Sequence, residues 1–490
     1  MTVHDQVQQA PEGIDPERLD VCLAVLAELN TLPVDHPHVE RVRRATAHLY
    51  KTVKQRKRQE RRAAITAHDA AVTEATATGA SGRIDDETRG IPLKVSTTAA
   101  TVGMLRRPRS CYICKERYTE VDAFYHQLCP PCAAFNRAKR DARTDLTGRR
   151  ALLTGGRAKI GMYIALRLLR DGAHTTITTR FPNDAVRRFT AEPDSADWLH
   201  RLKIVGIDLR DPAQVIALAD AVSADGPLDI LINNAAQTVR RSRGAYGHLV
   251  AAESAPLPAG PLPELLTFGH ASASAPVASL VGSAPDAPST TPSITPEALT
   301  ALALTGRSAS PDRIAAGGAI DAGGLVPDLA PENSWSQRVH EIDPIELLEV
   351  QLCNSTAPFI LISRLRPVMA AAAARRKYIV NVSAMEGVFS RGYKGAGHPH
   401  TNMAKAALNM LTRTSAQEML SDGILMTSVD TGWITDERPH PTKMRLADAG
   451  FHAPLDLVDG AARVYDPIVR GEQGEDLYGC FLKDYARAAW

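Results

Sequence analysis

Four cysteines carry the most directly legible chemistry in this chain. Cys111 and Cys114 form one C-x-x-C pair, and Cys129 and Cys132 form a second after fourteen intervening residues. Two such knuckles bring four thiolates around one tetrahedral Zn2+, each pair on a tight turn. Thiolates fill every coordination position, so no place is left for substrate and a structural zinc is predicted. Pro130 and Pro131 sit in the second knuckle, and AAFNRAKRDAR reads as a helix directly after it. A small zinc-ribbon or treble-clef module over 108-142 is therefore expected.

A second chemistry lies in RRALLTGGRAKIGMYIALRLLRDGAHTTITTR, Arg149 to Arg180, which reads strand, tight turn, helix, strand. Glycines in such a turn let the backbone approach a pyrophosphate at a helix amino terminus, where free N–H groups and the helix dipole favour anions. Thr154, Gly155, Ile160 and Gly161 fit a T-G-x-x-x-G-I-G pattern, except that Lys159 stands at the middle glycine. A lysine is accommodated there if its φ is negative, and it adds a positive charge.

Further segments follow in order: KIVGIDLRD, LDILINNAAQ, CNSTAPFILISRLRPVM, KYIVNVSAMEG, HPHTNMAKAALNM and LMTSVDTGWIT. Together with the glycine turn they resemble the short-chain dehydrogenase family. The resemblance implies an α/β fold, a doubly wound parallel-sheet Rossmann domain over 145-490, interrupted at 242-335. It also implies that Asp208 and Leu209 contact adenine, that Asn234 and Ala235 lie beside the adenine ribose, and that Gly432 lies near the cofactor amide. NAD-preferring members carry an acid at the end of the second strand. This chain has Thr179 followed by Arg180, a hydroxyl and a guanidinium suited to a 2′-phosphate, and Arg157 and Lys159 add charge on the same side. NADP(H) is the expected cofactor, with NAD as the alternative.

The family's catalytic set is Asn, Ser, Tyr and Lys, with Tyr and Lys spaced Y-x-x-x-K. Residues four apart share a helix face, so the ammonium lowers the phenol pKa and readies it for proton transfer. Asn354 and Lys405 match, but Thr401 stands where the tyrosine is expected and Ala384 where the serine is. Ser383 is one residue early and should point to the opposite strand face. Three groups could replace the phenol: Tyr393 from a long loop, the Glu386 carboxylate, or an imidazole of His398 or His400. Each is also read as a plain surface or loop-bracing residue. Trp433 is expected to pack over the cleft, with ERPHPTKMRLAD as a lid. Two readings follow: an NADP(H)-dependent oxidoreductase acting on a carbonyl or hydroxyl small molecule, or a dinucleotide-binding pseudoenzyme with a regulatory or scaffolding role.

These residues must be positioned by a chain of 490 residues, too long for one ordinary core. Apolar residues at 44% and charged ones at 23% read as soluble and globular, and the net charge of +2 argues against a wholesale nucleic-acid binder. An uninterrupted apolar run of membrane-spanning length is not expected, nor is a secretory signal, which points to the cytoplasm and a reducing environment for the seven cysteines. Residues 1-82 read as a helical region. Asp15 and Pro16 begin a helix with an apolar stripe at Val21, Val25, Leu26 and Leu29, and a second helix carries Val39, Val42, Ala45, Leu49 and Val53. That helix holds seven basic residues between Lys51 and Arg62, either a solvated face or a docking surface for an anionic protein partner. Nucleic-acid binding there is the weakest reading. The interruption at 242-335 is rich in Ala, Ser, Pro and Gly and is expected to be disordered or a loose surface loop, with a short helix possible around Pro296 to Leu304. By the family resemblance a homo-oligomer, a dimer or tetramer, is also implied.

Overall fold

The computed structural model describes residues 13–80, 83, 101–241, 243–268, 324–325, 330–435 and 437–490. The chain separates into two compact units, Met1–Asp69 and Ala70–Trp490. In the first, helix Pro16–Leu29 starts at Asp15, whose carboxylate accepts from Arg18 N at 3.2 Å, with proline in the first turn. A second helix, Pro37–Glu74, runs 38 residues and carries the basic run. Neither helix fully buries a residue, though Leu26, Leu29, Val39 and Val42 of the apolar stripes are half-buried.

In the second unit the cysteines sit on an antiparallel ribbon and a helix. β1 (Thr101–Ser110) pairs with β2 (Arg117–Asp122), and helix Pro130–Asp141 follows the second knuckle with prolines in its first turn. The module does not stand apart. Tyr118, Val121, Tyr125 and Leu128 share one buried cluster with Ile434 and Leu455 from the far end of the chain. A buried polar seam reinforces the contact. Arg140 of the module pairs with Asp456 at 2.6 Å and Asp459 at 3.0 Å, and Tyr125 Oη donates to Asp459 at 2.6 Å.

Beyond it lie β3 (Arg150–Leu153), β4 (His174–Thr179), β5 (Leu202–Gly206), β6 (Ile230–Asn233), β7 (Glu264–Thr267), β8 (Lys377–Ser383), β9 (Ile424–Asp430), β10 (Phe481–Lys483) and β11 (Ala486–Ala488). They form one sheet in the order β11-β10-β9-β8-β6-β3-β4-β5-β7, parallel except for β11. The central strands are buried along their whole length, as a sheet covered on both faces requires. From β3 the chain winds one way through β4 and β5, then returns to β6 and winds the other way through β8 and β9. The crevice at the carboxyl ends of β3 and β6 is therefore the topological switch point, where such sheets bind ligands.

The interruption at 242-335 is not wholly irregular. Helix Gly247–Glu253 and β7 lie within it, and β7 extends the sheet beyond β5. Alternation was too short there to reveal a four-residue edge strand. The stretch 269–323, with the helix expected around Pro296 to Leu304, lies outside the described residues. The segment Pro344–Ala370 is one helix long and apolar enough to cross a membrane by length and composition, counter to the sequence expectation. Here it packs Leu361, Ile362 and Leu365 into the sheet core, and a π turn at Leu352–Thr356 breaks its regularity.

Candidate functional site

A cavity of about 930 Å3 opens at the switch point. One wall is the turn between β3 and helix Lys159–Arg170, contributed by Gly155, Arg157, Ala158, Lys159, Ile160 and Gly161. The N-cap Ala158 has no side chain to cap that helix, whose amino terminus favours an anion. Gly161 is required by close packing, since a Cβ there would lie 1.9 Å from the Gly155 carbonyl oxygen. Thr154 does not line the cavity. Its hydroxyl accepts from Asn234 N and Ala235 N, each at 3.0 Å, and so holds the β6 loop against the turn. Asn234 Nδ2 donates to the carbonyls of Thr154 and Gly155 at 3.1 Å.

Lys159 departs from expectation. Its φ is +53°, so the chain keeps the left-handed backbone of the family glycine despite the side chain. Such a conformation costs a non-glycine residue roughly 1–2 kcal/mol. Lys159→Gly is expected to raise stability by about 1 kcal/mol in denaturant unfolding, and to weaken NADPH binding severalfold in a fluorescence titration. A glycine variant less stable than wild type would contradict this.

Around the adenine end stand Thr179, Arg180, Asp208 and Leu209, all on the cavity surface. The Arg180 guanidinium lies over the Tyr246 ring, 5.0 Å from its centroid, and 5.7 Å from that of Phe181. Arg157 pairs with Asp184, and Asp208 pairs with Arg210 at 2.6 Å. Arg157 and Asp208 are thus already partnered, and Arg180, held over the Tyr246 ring, is a cationic group of that wall placed for a phosphate.

At the other end Lys405 emerges from helix Pro399–Met419 and donates to the Val382 carbonyl at 2.8 Å. Burial pushes its pKa down to about 8, against the opposing pull of Cys353, Glu386 and Asp430. Asn354 is buried in the π turn and off the cavity surface. It accepts from Gln237 N at 2.7 Å and donates to Gln237 O at 2.9 Å, locking the β6 loop from outside the cleft. Thr401 is buried too, with its hydroxyl 3.5 Å from the Thr238 carbonyl. Ser383 and Ala384 both line the cavity, and the Ser383 hydroxyl donates to Asn409 Oδ1 at 2.6 Å.

Of the three replacements for the phenol, only Glu386 lines the cavity. It follows β8 in a short turn whose carbonyls receive the Lys394 ammonium, and Arg391 lies 3.8 Å from its carboxylate. Tyr393 is 78% exposed and off the cavity, because the loop that carries it runs outward. His400 is buried behind the helix, 3.9 Å from Glu346, rather than facing the cleft. Gly432 and Trp433 line the cavity, and Trp433 packs on Phe451 with ring centroids 5.2 Å apart. The segment expected to act as a lid forms helix His440–Asp448, with Glu437 and Arg438 at the cavity edge.

Some lining residues were not legible. Tyr112 and Lys115, from the first cysteine knuckle, form part of the cavity wall, and Trp433 N donates to Tyr112 Oη at 3.0 Å. Asp430 and Lys483, 3.4 Å apart, face the same space. No spacing rule connects a knuckle to a loop more than three hundred residues away, so only the fold could reveal the contact. In the knuckle itself, the sulfurs of Cys111, Cys114, Cys129 and Cys132 lie within 4.8 Å of one another. A tetrahedral ion with bonds of about 2.3 Å sets ligand sulfurs roughly 3.8 Å apart, and Cys114 and Cys129 already stand at 3.6 Å.

Residues 149–246 match the family model described as short chain dehydrogenase. The uncharacterized protein R665 of Acanthamoeba polyphaga mimivirus is 30% identical over 380 residues, spanning 74% of this chain and 71% of its own. A probable oxidoreductase of Streptomyces antibioticus is 42% identical over 91 residues, which is 19% of this chain and 30% of that protein. Among solved structures, the Pseudomonas aeruginosa RhlG/NADP active-site complex aligns with a TM-score of 0.42 at 18% identity, covering 69% of this chain and 95% of the other. The chain carries a domain of the short chain dehydrogenase family, matched over residues 149–246, and the mimivirus protein is a relative along 74% of its length.

Proposed function

We propose that the chain is an NADP(H)-dependent oxidoreductase that interconverts a carbonyl and a hydroxyl group on a small molecule. The observation that carries this reading is the single cavity surface shared by the phosphate turn, Arg180 and Lys405. The residues present suit the dinucleotide. Gly155 and the uncapped helix at Lys159 would take the pyrophosphate, Thr179 and Arg180 the 2′-phosphate, and Asn234, Ala235 and Lys405 the two riboses. When bound, NADPH supplies the hydride that, with one proton, turns a carbonyl into an alcohol. Names of relatives point the same way, since two Streptomyces proteins are termed probable oxidoreductases.

The chain's own residues have three tasks. The Lys405 ammonium, held by Val382 O, places a positive charge beneath the reacting end and stabilises negative charge that develops there. Asn354, through Gln237, fixes the loop that walls the cleft and acts as a positioning residue. Glu386 lines the cavity and acts electrostatically on Lys405, and we assign it the proton. The four cysteines hold a structural zinc in this reading, keeping the Tyr112 wall in register. NADPH consumption across a panel of carbonyl compounds tests the proposal.

A further inference from the structure

We infer that the interruption of the Rossmann domain sets the site's preference for a 2′-phosphorylated adenine nucleotide, through Tyr246, which holds Arg180 as a phosphate receptor. The inference rests on the oxidoreductase reading for the cofactor, but residues outside the parallel strands carry it. β4 ends at Thr179, and Arg180, Phe181 and Tyr246 line one wall of the cavity. Arg180 is half-buried and has no carboxylate in ion-pair contact among the described residues. Asp208, which acts on it electrostatically, is taken by Arg210 at 2.6 Å, and Arg210 also reaches Glu349 at 3.0 Å. A guanidinium in that position can meet a phosphate with two parallel N–H bonds.

Tyr246 fixes that guanidinium in two ways. Its hydroxyl accepts from Arg180 Nη2 at 3.4 Å, and its ring lies 5.0 Å from the guanidinium carbon. Phe181 stacks on the same ring, with centroids 6.0 Å apart and planes 22° apart. The Tyr246 hydroxyl has no acceptor for its own proton among the described residues, so the wall offers an O–H donor beside the N–H donors. An arginine ordered before the ligand arrives loses less side-chain entropy on binding. The segment that carries Tyr246 is itself tied to the turn after β4. Helix Pro182–Thr190 starts without a side-chain cap and with a proline, so its first N–H groups belong to Asn183 and Asp184. Both donate to the Glu253 carboxylate, at 2.9 and 2.8 Å. Asn183 Nδ2 donates to Glu253 O and Arg187 to Ala255 O, each at 2.6 Å. Residues 246–255 therefore grip the turn bearing Arg180 from the ring side and from the helix side.

Adenosine 2′,5′-bisphosphate and adenosine 5′-monophosphate differ only in the 2′-phosphate, and calorimetry of the full chain compares them without any turnover. The bisphosphate is expected to bind at least about tenfold tighter. Tyr246→Ala is expected to reduce that preference by about fivefold or more, and Tyr246→Phe, which keeps the ring, by about threefold. Affinity for the monophosphate should stay unchanged in both variants. A preference intact in Tyr246→Phe would overturn the inference. So would an equal loss for both probes, which is what a merely structural tyrosine would give. Equal binding of the two probes by the wild type, or binding of neither, would overturn it together with the choice of NADP(H). The two proposals stay separable. A bisphosphate preference that Tyr246→Phe leaves untouched defeats this inference alone, whereas a preference lost as expected, with no NADPH consumed on any carbonyl, defeats the oxidoreductase reading alone.

Discussion

Lys405→Met is expected to make the protein more stable while reducing turnover at least about a hundredfold. The lysine is buried, and its pKa falls from 10.5 to about 8 on folding. A shift of that size corresponds to roughly 3 kcal/mol against the charged form at neutral pH. Methionine fills a similar volume without charge. It leaves the Val382 carbonyl without its donor, which offsets about 1–2 kcal/mol. The net gain expected in chemical denaturation is about 1–2 kcal/mol.

The pH dependence gives a second readout. Because the folded pKa lies below the unfolded one, the unfolded chain binds more protons between the two values. Wild-type stability should therefore rise as pH climbs from about 8 towards 10.5, and this rise should be absent in Lys405→Met. A variant that loses stability and shows the same slope would mean that Lys405 is a structural residue. Trading stability for function at one position is common in active sites, where a strained or buried charge is kept for its chemistry.

Removing the metal is the other large effect. Loss of the proposed zinc to a strong chelator, or Cys129→Ser, is expected to lower Tm by about 10 °C, because a structural zinc would contribute folding free energy directly. The loss should not stay local. The module is tied to helix Leu457–Glu472 through Arg140, Asp456, Asp459 and Tyr125, all in buried positions or nearly so. Breaking a buried ion pair leaves an uncompensated charge and costs several kcal/mol. Trp433, held by Tyr112, should change its fluorescence at the same time. Pure protein that carries no zinc and melts at an unchanged temperature after chelation would refute the metal assignment.

How much of this was readable beforehand depends on the range over which each feature is encoded. The knuckles, the T-G-x-x-x-G-I-G turn and the strand run KYIVNVS are local, so spacing and pattern were enough to find the cysteine cluster and a doubly wound parallel sheet. Lys405 was found because its helix neighbours follow the family pattern. Its environment was not, since burial under Val382 comes from the stacking of β8 on a helix. Asn354 was matched to the family's asparagine by its place in the sequence, but the π turn that directs it at Gln237 left no signal there. Periodicity cannot show one inserted residue in a helix. Tyr393 and His400 illustrate the limit of residue type as a guide: a phenol or imidazole near the right place in sequence needs the loop and helix face to bring it inward, and neither did. Tyr112 is the reverse case, a side chain with no signal of its own that tertiary packing carried to the cleft.

The phosphate turn shows a similar division. Sequence identified Lys159 as the exception in the glycine pattern, but the conformation it must adopt was set by the fit of the turn against β4 and β6. There Gly155 N donates to Thr178 Oγ1 at 3.1 Å and the Asn234 amide closes the other side. The surrounding bonds over-determine the backbone, so the side chain accepts a left-handed φ.

NADPH consumption by the full chain, followed by absorbance across a panel of carbonyl compounds, tests the central claim most directly. The expected result is one alcohol formed per NADPH oxidised, at least about tenfold slower with NADH, and lost in Lys405→Met. Tight NADPH binding with no consumption for any carbonyl, in either direction, would contradict it and leave a nucleotide-binding protein without redox chemistry.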